Sequence, residues 1–178
     1  MSKLSFKKYE NEVEDLVSLL TKNKWEFHSN PAPVRKEILK KYRDDWHEKD
    51  KEIFWIESVD KKIGLIMLHD LTDSIPLFDL RLENNSRGKG FGSQAVCWIT
   101  DYIFKLPDNK IRIEAYTRSD HIAMRKTLSK CGFVKEGYLR QSCENADGSV
   151  SDSVCYAIIR SDWENKITTP IKLNDLPF

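Results

Sequence analysis

Arg87-Gly88-Lys89-Gly90-Phe91-Gly92 lies between an apolar, strand-like run, Leu77-Phe78-Asp79-Leu80-Arg81-Leu82, and a helical repeat of apolar residues. Three glycines at alternate positions free the backbone from Cβ constraints. Their N–H groups can then converge on one point, with the cations Arg87 and Lys89 beside them. A strand that passes through such a turn into a helix N-terminus is an anion site. The first-turn N–H groups lack intrahelical partners, and the helix dipole favours negative charge there. The feature predicts a strand–turn–helix unit that cradles a pyrophosphate.

Two familiar phosphate loops do not fit. A dinucleotide fingerprint started at Gly88 requires glycine where Ser93 stands, and a P-loop fails at the same position. The strand entering the turn also follows others that read as antiparallel, whereas a dinucleotide unit opens a parallel array.

The rest of the chain supports one globular domain. Its 178 residues suffice for a sizeable core, and net charge is only +1, which argues against nucleic acid or an anionic membrane as the main partner. Met1 to Lys8 lack the apolar core of a signal peptide, and no apolar run is long enough to span a bilayer, so the expected location is the cytoplasm. Cys97, Cys131, Cys143 and Cys155 have no metal-ligand spacing, and no metal is expected. Cys97 and Cys131 read as core residues on apolar helix faces, and no disulfide framework is expected.

Leu4 and Phe6 alternate with polar residues as a strand, and residues 11–22 carry helical spacing. Pro31 and Pro33 break the chain before a second helix over 33–47, with Val34, Ile38, Tyr42 and Trp46 along one side. Strands follow at 53–56, 63–68 and 77–82, the first two joined by a turn at Asp60-Lys61-Lys62. A helix then runs to about Phe104, a strand covers 111–117, and a helix over 120–130 ends at Cys131-Gly132. Asn145-Ala146-Asp147-Gly148 is a hairpin turn between two last strands. The order β-α-α-β-β-β-α-β-α-β-β defines an α+β fold.

Arg87-x-x-Gly90-x-Gly92 resembles the acyl-CoA pyrophosphate loop of the GNAT N-acetyltransferase superfamily. Downstream, the block from His121 through Met124, Arg125, Leu128, Cys131-Gly132-Phe133 and Glu136-Gly137 to Arg140 is similar to that family's second motif. Its form is that of the branch containing ribosomal-protein N-terminal alanine acetyltransferases. The resemblance covers roughly residues 3–160. It implies a mixed, mostly antiparallel sheet of about seven strands flanked by about four helices, with residues 1–165 as one domain and 166–178 as a tail. It also implies acetyl-CoA as the donor, and Leu80, Arg81 and Leu82 holding pantetheine through their main chain, beside a splay from strand 111–117. Arg87, Gly88, Lys89, Gly90, Phe91, Gly92 and Ser93 would hold the pyrophosphate. His121 stands where the branch has a pantetheine-binding asparagine, and Arg125, one turn on, is within reach of a phosphate or is an ordinary surface cation. Met124 and Leu128 replace the serine and tyrosine that protonate the departing thiolate in relatives.

Direct acetyl transfer needs a neutral amine, and a free lysine amine titrates near about 10.4, so a base or a desolvated pocket must remove its proton. The thiolate is a good leaving group, since a free cysteine titrates near about 8.5, so a strong acid is dispensable. Asp79 is the leading base candidate, because an acid inside an apolar run is paired or functional; an ion pair with Arg81 is the alternative. Glu114 on the neighbouring strand is the second candidate, or an exposed strand carboxylate. Trp25, Phe27 and His28 would wall the acceptor pocket, with His28 as a proton relay. Taken singly, each aromatic is more often a staple between helices and sheet, and a surface position is the commoner outcome for His28. The expected function is acetylation of a primary amine, on a small molecule or a protein N-terminus; the resemblance admits a homodimer. The alternative is a non-catalytic acyl-CoA sensor.

Overall fold

The structure is a computed structural model that describes residues 3–45 and 50–175. Alternating apolar residues build β1 (Leu4–Lys8), β2 (Glu52–Ser58), β3 (Lys61–His69) and β4 (Leu77–Leu82). Two helices, α1 (Val13–Thr21) and α2 (Arg35–Asp45), fall between β1 and β2. The glycine turn then leads into α3 (Phe91–Phe104), followed by β5 (Arg112–Arg118), α4 (Ile122–Lys130), β6 (Val134–Glu144), β7 (Val150–Ile159) and α5 (Arg160–Asn165). The seven strands form one sheet in the order β1-β2-β3-β4-β5-β7-β6, antiparallel at every pairing except β4–β5. The expected α+β class and element order are observed, with α5 as a fifth α-helix.

The two sheet faces have separate cores. Leu80, Ile113, Val154, Tyr156 and Ile158 pack with Phe91, Ala95, Ile99 and Ile103 of α3 and Leu128 of α4. On the opposite face Ile53, Trp55 and Leu65 pack with Leu16, Val17, Leu19 and Leu20 of α1, Trp25 and Ile38. Adjacent strand residues point to opposite faces. The second core therefore shares its face with Leu77, Asp79 and Arg81, and the first with Phe78, Leu80 and Leu82.

One register feature opens the sheet. β4 and β5 pair at a single position, Leu77 with Glu114, reinforced by Glu114 N–H donating to Pro76 O at 3.1 Å. Beyond that point the parallel strands diverge, and the splay opens towards the glycine turn. Gly64 of β3 lets β4 come close: a Cβ there would lie 2.3 Å from the Arg81 carbonyl oxygen.

Several local expectations change. The β2–β3 hairpin turns at Val59-Asp60, whose φ angles are both positive (50° and 60°), and Lys61 already belongs to β3. Val34 precedes α2 and is 55% exposed, so it does not continue the inner side with Ile38; the side chains of Tyr42 and Trp46 lie outside the described residues. Cys97 is exposed, contrary to the core reading, whereas Cys131 is half-buried and packs against the first core. Cys97 is two residues from both Ala95 and Ile99, about 200° around the helix, which turns it away from their face. No helix among the described residues is long and apolar enough to cross a membrane.

Candidate active site

The glycine turn has the backbone that its sequence requires. Gly88 and Gly90 have φ of +74° and +81°, in the left-handed region that favours glycine. Gly90 caps α3 without any side-chain hydrogen bond, so the first-turn amides of Phe91, Gly92 and Ser93 face an uncapped helix end. A Cβ at Gly92 would sit at ordinary contact distance, 3.8 Å, from the Thr127 side chain. That neighbour places α4 beside the turn, and Thr127 was not singled out from sequence.

The cations expected around the phosphate are partly engaged elsewhere. Arg87 donates from Nε to Leu82 O at 2.9 Å and from a terminal nitrogen to Lys24 O at 2.8 Å, with its guanidinium 5.3 Å from the Trp25 ring centre. It ties the segment after α1 to the end of β4. Arg125 donates to Ser119 O at 2.7 Å and, at 3.4 Å, to the Tyr156 hydroxyl. Lys89 is exposed at the turn.

The segment 24–28 crosses the splay. Arg118, at the end of β5, donates to Glu26 O at 3.3 Å, to Asn145 Oδ1 at 2.9 Å and to Asp120. Phe27 stacks on His121 with ring centres 3.8 Å apart and planes 9° from parallel. His121 Nδ1 also lies 3.2 Å from Thr117 Oγ1, and burial lowers the imidazole to about 4, so the ring is neutral at pH 7. Among the described residues, the hydrogen bond to Thr117 is made at Nδ1 and none is made at Nε2.

A cavity of about 710 Å³ lies against this segment, lined by residues that include Lys24, Glu26, His28, Arg87, Arg118 and Asp147. Of the three residues expected to wall the acceptor pocket, only His28 lines it. Trp25 is 2% exposed, its indole donates to Leu20 O at 2.8 Å, and it belongs to the second core. Phe27 reaches His121 instead. The 145–149 hairpin was expected as a turn but not as a cavity wall, and Arg118 was not singled out, because neither carries a spacing signal and only the fold brings them to the cavity.

Asp79 has Arg81 as its partner, at 3.1 Å, and His28 Nδ1 lies 3.8 Å from the same Oδ2. Burial works to raise the Asp79 carboxyl, but Arg81, His28 and His69 together outweigh it, and the net shift is downward. Asp79 is thus an ionised carboxylate at neutral pH. Its Oδ1 is buried with no hydrogen-bond partner among the described residues. His28 is lowered from its ordinary value by burial, against an upward pull from Asp79, so it is neutral and able to accept a proton at pH 7. Glu114 is half-buried, accepting from the Tyr116 hydroxyl at 2.8 Å and paired with Arg112 at 2.9 Å. Arg112 also holds Glu136 at 2.7 Å, which makes Glu114 part of a surface charge network rather than an isolated exposed carboxylate.

A splayed parallel strand pair opening onto a helix N-terminus behind a left-handed glycine turn is the geometry of a site for a phosphate-bearing ligand. The family model described as the acetyltransferase (GNAT) domain matches residues 4–134, and the chain belongs to this family. An uncharacterized N-acetyltransferase p20 from Bacillus licheniformis is 35% identical over 82 residues, 46% of this chain and 45% of that relative, so the match spans less than half of either. Among solved structures, spermidine N-acetyltransferase from Vibrio cholerae in complex with CoA and spermine has a TM-score of 0.76 at 22% identity, covering 91% of this chain and 98% of its own. The ribosomal L7/L12 α-N-protein acetyltransferase RimL, in complex with CoA, has a TM-score of 0.77 at 19% identity, covering 89% and 95%. At these identities the structural likeness establishes the GNAT fold; acetyl-CoA is the donor used by the family.

Proposed function

We propose that this GNAT acetyltransferase transfers the acetyl group of acetyl-CoA directly to a primary amine, on a small molecule or a protein N-terminus, in the cytoplasm. The observation that carries the reading is the single-position pairing of β4 and β5, which opens the sheet towards the Gly88–Gly90 turn. In this reading the main chain of Leu80, Arg81 and Leu82 binds pantetheine, and the amides of the turn and of α3 bind pyrophosphate. Acetyl-CoA supplies the activated acyl group; the chain's own residues position it, exclude water and move the amine proton.

The proton acceptor in this proposal is His28, with Asp79 behind it. His28 lines the cavity, whereas Asp79 is held low by cations and is a weak base. A negative carboxylate near Nδ1 stabilises the imidazolium that forms when the amine proton is taken. Glu114 has a network role. The two solved structures named above are a spermidine N-acetyltransferase and a ribosomal L7/L12 α-N-protein acetyltransferase. The cavity here carries both signs, Lys24, Arg87 and Arg118 against Glu26 and Asp147, which supports a compact amine over a long polycation. A homodimer is compatible with the reading but not required by it.

The test is CoA release from acetyl-CoA, followed by thiol detection across polyamines, aminoglycosides, amino acids and peptide N-termini. Amine-dependent release on at least one class supports catalysis. Saturable acetyl-CoA binding with no release on any class returns the reading to a non-catalytic sensor.

A further inference from the structure

The thiols of Cys97 and Cys131, 34 residues apart in sequence, lie on α3 and at the C-terminal end of α4, and their sulfurs are 3.5 Å apart. Cys97 is exposed and Cys131 half-buried, so an oxidant in solvent can reach the pair. Cys131 Sγ also lies 3.5 Å from the carbonyl oxygen of Ser93, in the first turn of α3. The pair therefore sits behind the glycine turn, joining the end of α4 to the first turns of α3, the helix proposed above to present its amides to the cofactor.

We propose that Cys97 and Cys131 are a redox modification site, closed to a reversible intramolecular disulfide by a hydroperoxide. Cys97 is the attacking thiol, because it is the more exposed. Its hydrogen bond with Cys131 lowers it to about 7, while the Cys131 thiol is pushed up and keeps its proton. In the first step the Cys97 thiolate attacks one peroxide oxygen. The O–O bond breaks, hydroxide or alkoxide leaves and takes up a proton, and Cys97 becomes a sulfenic acid. In the second step the Cys131 sulfur attacks that sulfenic sulfur. The S–O bond breaks, the Cys131 proton and the leaving hydroxide form water, and the S–S bond closes. Two thiols are oxidised by two electrons and one peroxide is reduced. A dithiol passes the electrons back by thiol–disulfide exchange.

The bond requires the sulfurs to approach to about 2.0 Å. The end of α4 is drawn towards α3, and Cys131 leaves the Ser93 carbonyl. This consequence for the cofactor turn rests on the function proposed above; the disulfide itself does not.

The experiment is titration of the dilute, fully reduced protein with hydrogen peroxide, followed by alkylation, intact mass and non-reducing peptide mapping. The expected result is loss of two of the four alkylatable thiols, a 97–131 cross-linked peptide, and full recovery with dithiothreitol. Cys97→Ser and Cys131→Ser each abolish the cross-link. Retention of all four alkylatable thiols overturns the proposal. So does a cross-link through Cys143 or Cys155, a disulfide between two chains, or irreversible oxidation of Cys97 without cross-linking. The wild-type mass measurement decides the matter even if one variant fails to fold. Acetyl-CoA affinity of the reduced and oxidised forms is measured separately: weaker binding when oxidised supports the coupling to the turn, and equal affinity overturns that coupling while leaving the disulfide intact.

Discussion

The glycine turn and the cavity beside it, the proposed donor and acceptor ends of the cleft, are built on different principles. At the donor end, a short contiguous stretch does the work through its backbone: Gly88 and Gly90 adopt left-handed φ, and α3 starts with no side-chain cap. At the acceptor end, four separate stretches meet through side chains. Arg87 holds Lys24, Arg118 holds Glu26 and Asn145, His121 stacks on Phe27, and Asp79 faces His28. A backbone device leaves a spacing in sequence, whereas a side-chain assembly exists only after folding. The difference explains why the cofactor could be recognised from the chain alone and the acceptor could not.

The comparison predicts that changes at the two ends separate in kinetics. His28→Ala has the largest expected effect on turnover, a loss of about 10²-fold or more in kcat, within the range for general-base catalysis. The KM for acetyl-CoA should stay near the wild-type value; unchanged kcat at neutral pH removes His28 from the chemistry.

The pH profile sharpens the same assignment. Burial lowers His28 below its ordinary value near 6.5, so its neutral form prevails above that lowered pKa and is lost as pH falls through it. The kcat/KM profile should therefore show an acid limb with a midpoint below about 6.5. In Asp79→Asn the upward pull on His28 is removed. The acid limb should move to still lower pH while the plateau falls by about tenfold, roughly the 1.4 kcal/mol carried by a moderate charge contact. An acid limb that moves to higher pH contradicts the pairing.

At the donor end, Gly90→Val forces a β-branched residue into φ near +81°. The strain, about 1–2 kcal/mol, should appear as a rise in acetyl-CoA KM of roughly five- to thirtyfold, with kcat at saturating cofactor changed much less. Titration calorimetry with CoA gives an independent readout. Phe27→Ala should have the smallest effect. It removes the stack on His121, worth about 1 kcal/mol, and should raise the amine KM several-fold more than the acetyl-CoA KM. A larger effect on acetyl-CoA would place Phe27 with the donor end.

Much of the fold was legible because its signals are local. Alternation located the strands, and Gly132 marked the end of α4 with φ of +86°. The elements that escaped depend on distant partners. α5 is six residues long and is fixed by Arg160 donating to the carbonyls of Lys110 and Phe104, by Trp163 donating to Asp101, and by buried Asp162, which accepts from Thr169. So short a helix has little stability of its own and leaves little periodicity. Trp25 carried two readings, pocket wall and staple between helices and sheet, and the second is observed: its indole donates to Leu20 O and lies in the second core. The acid Asp79 stood out in its strand, yet its partner His28 lies fifty-one positions away, and nothing in the sequence links them.

The central claim is that the splay and its cavity catalyse acetyl transfer to an amine. Its most direct measurement is the initial rate of CoA release by the wild-type protein, with saturating acetyl-CoA and a varied amine. The account predicts release that saturates with one amine class, accompanied by stoichiometric N-acetyl product and abolished in His28→Ala. Tight acetyl-CoA binding with release no faster than spontaneous hydrolysis, for every amine class, would contradict it.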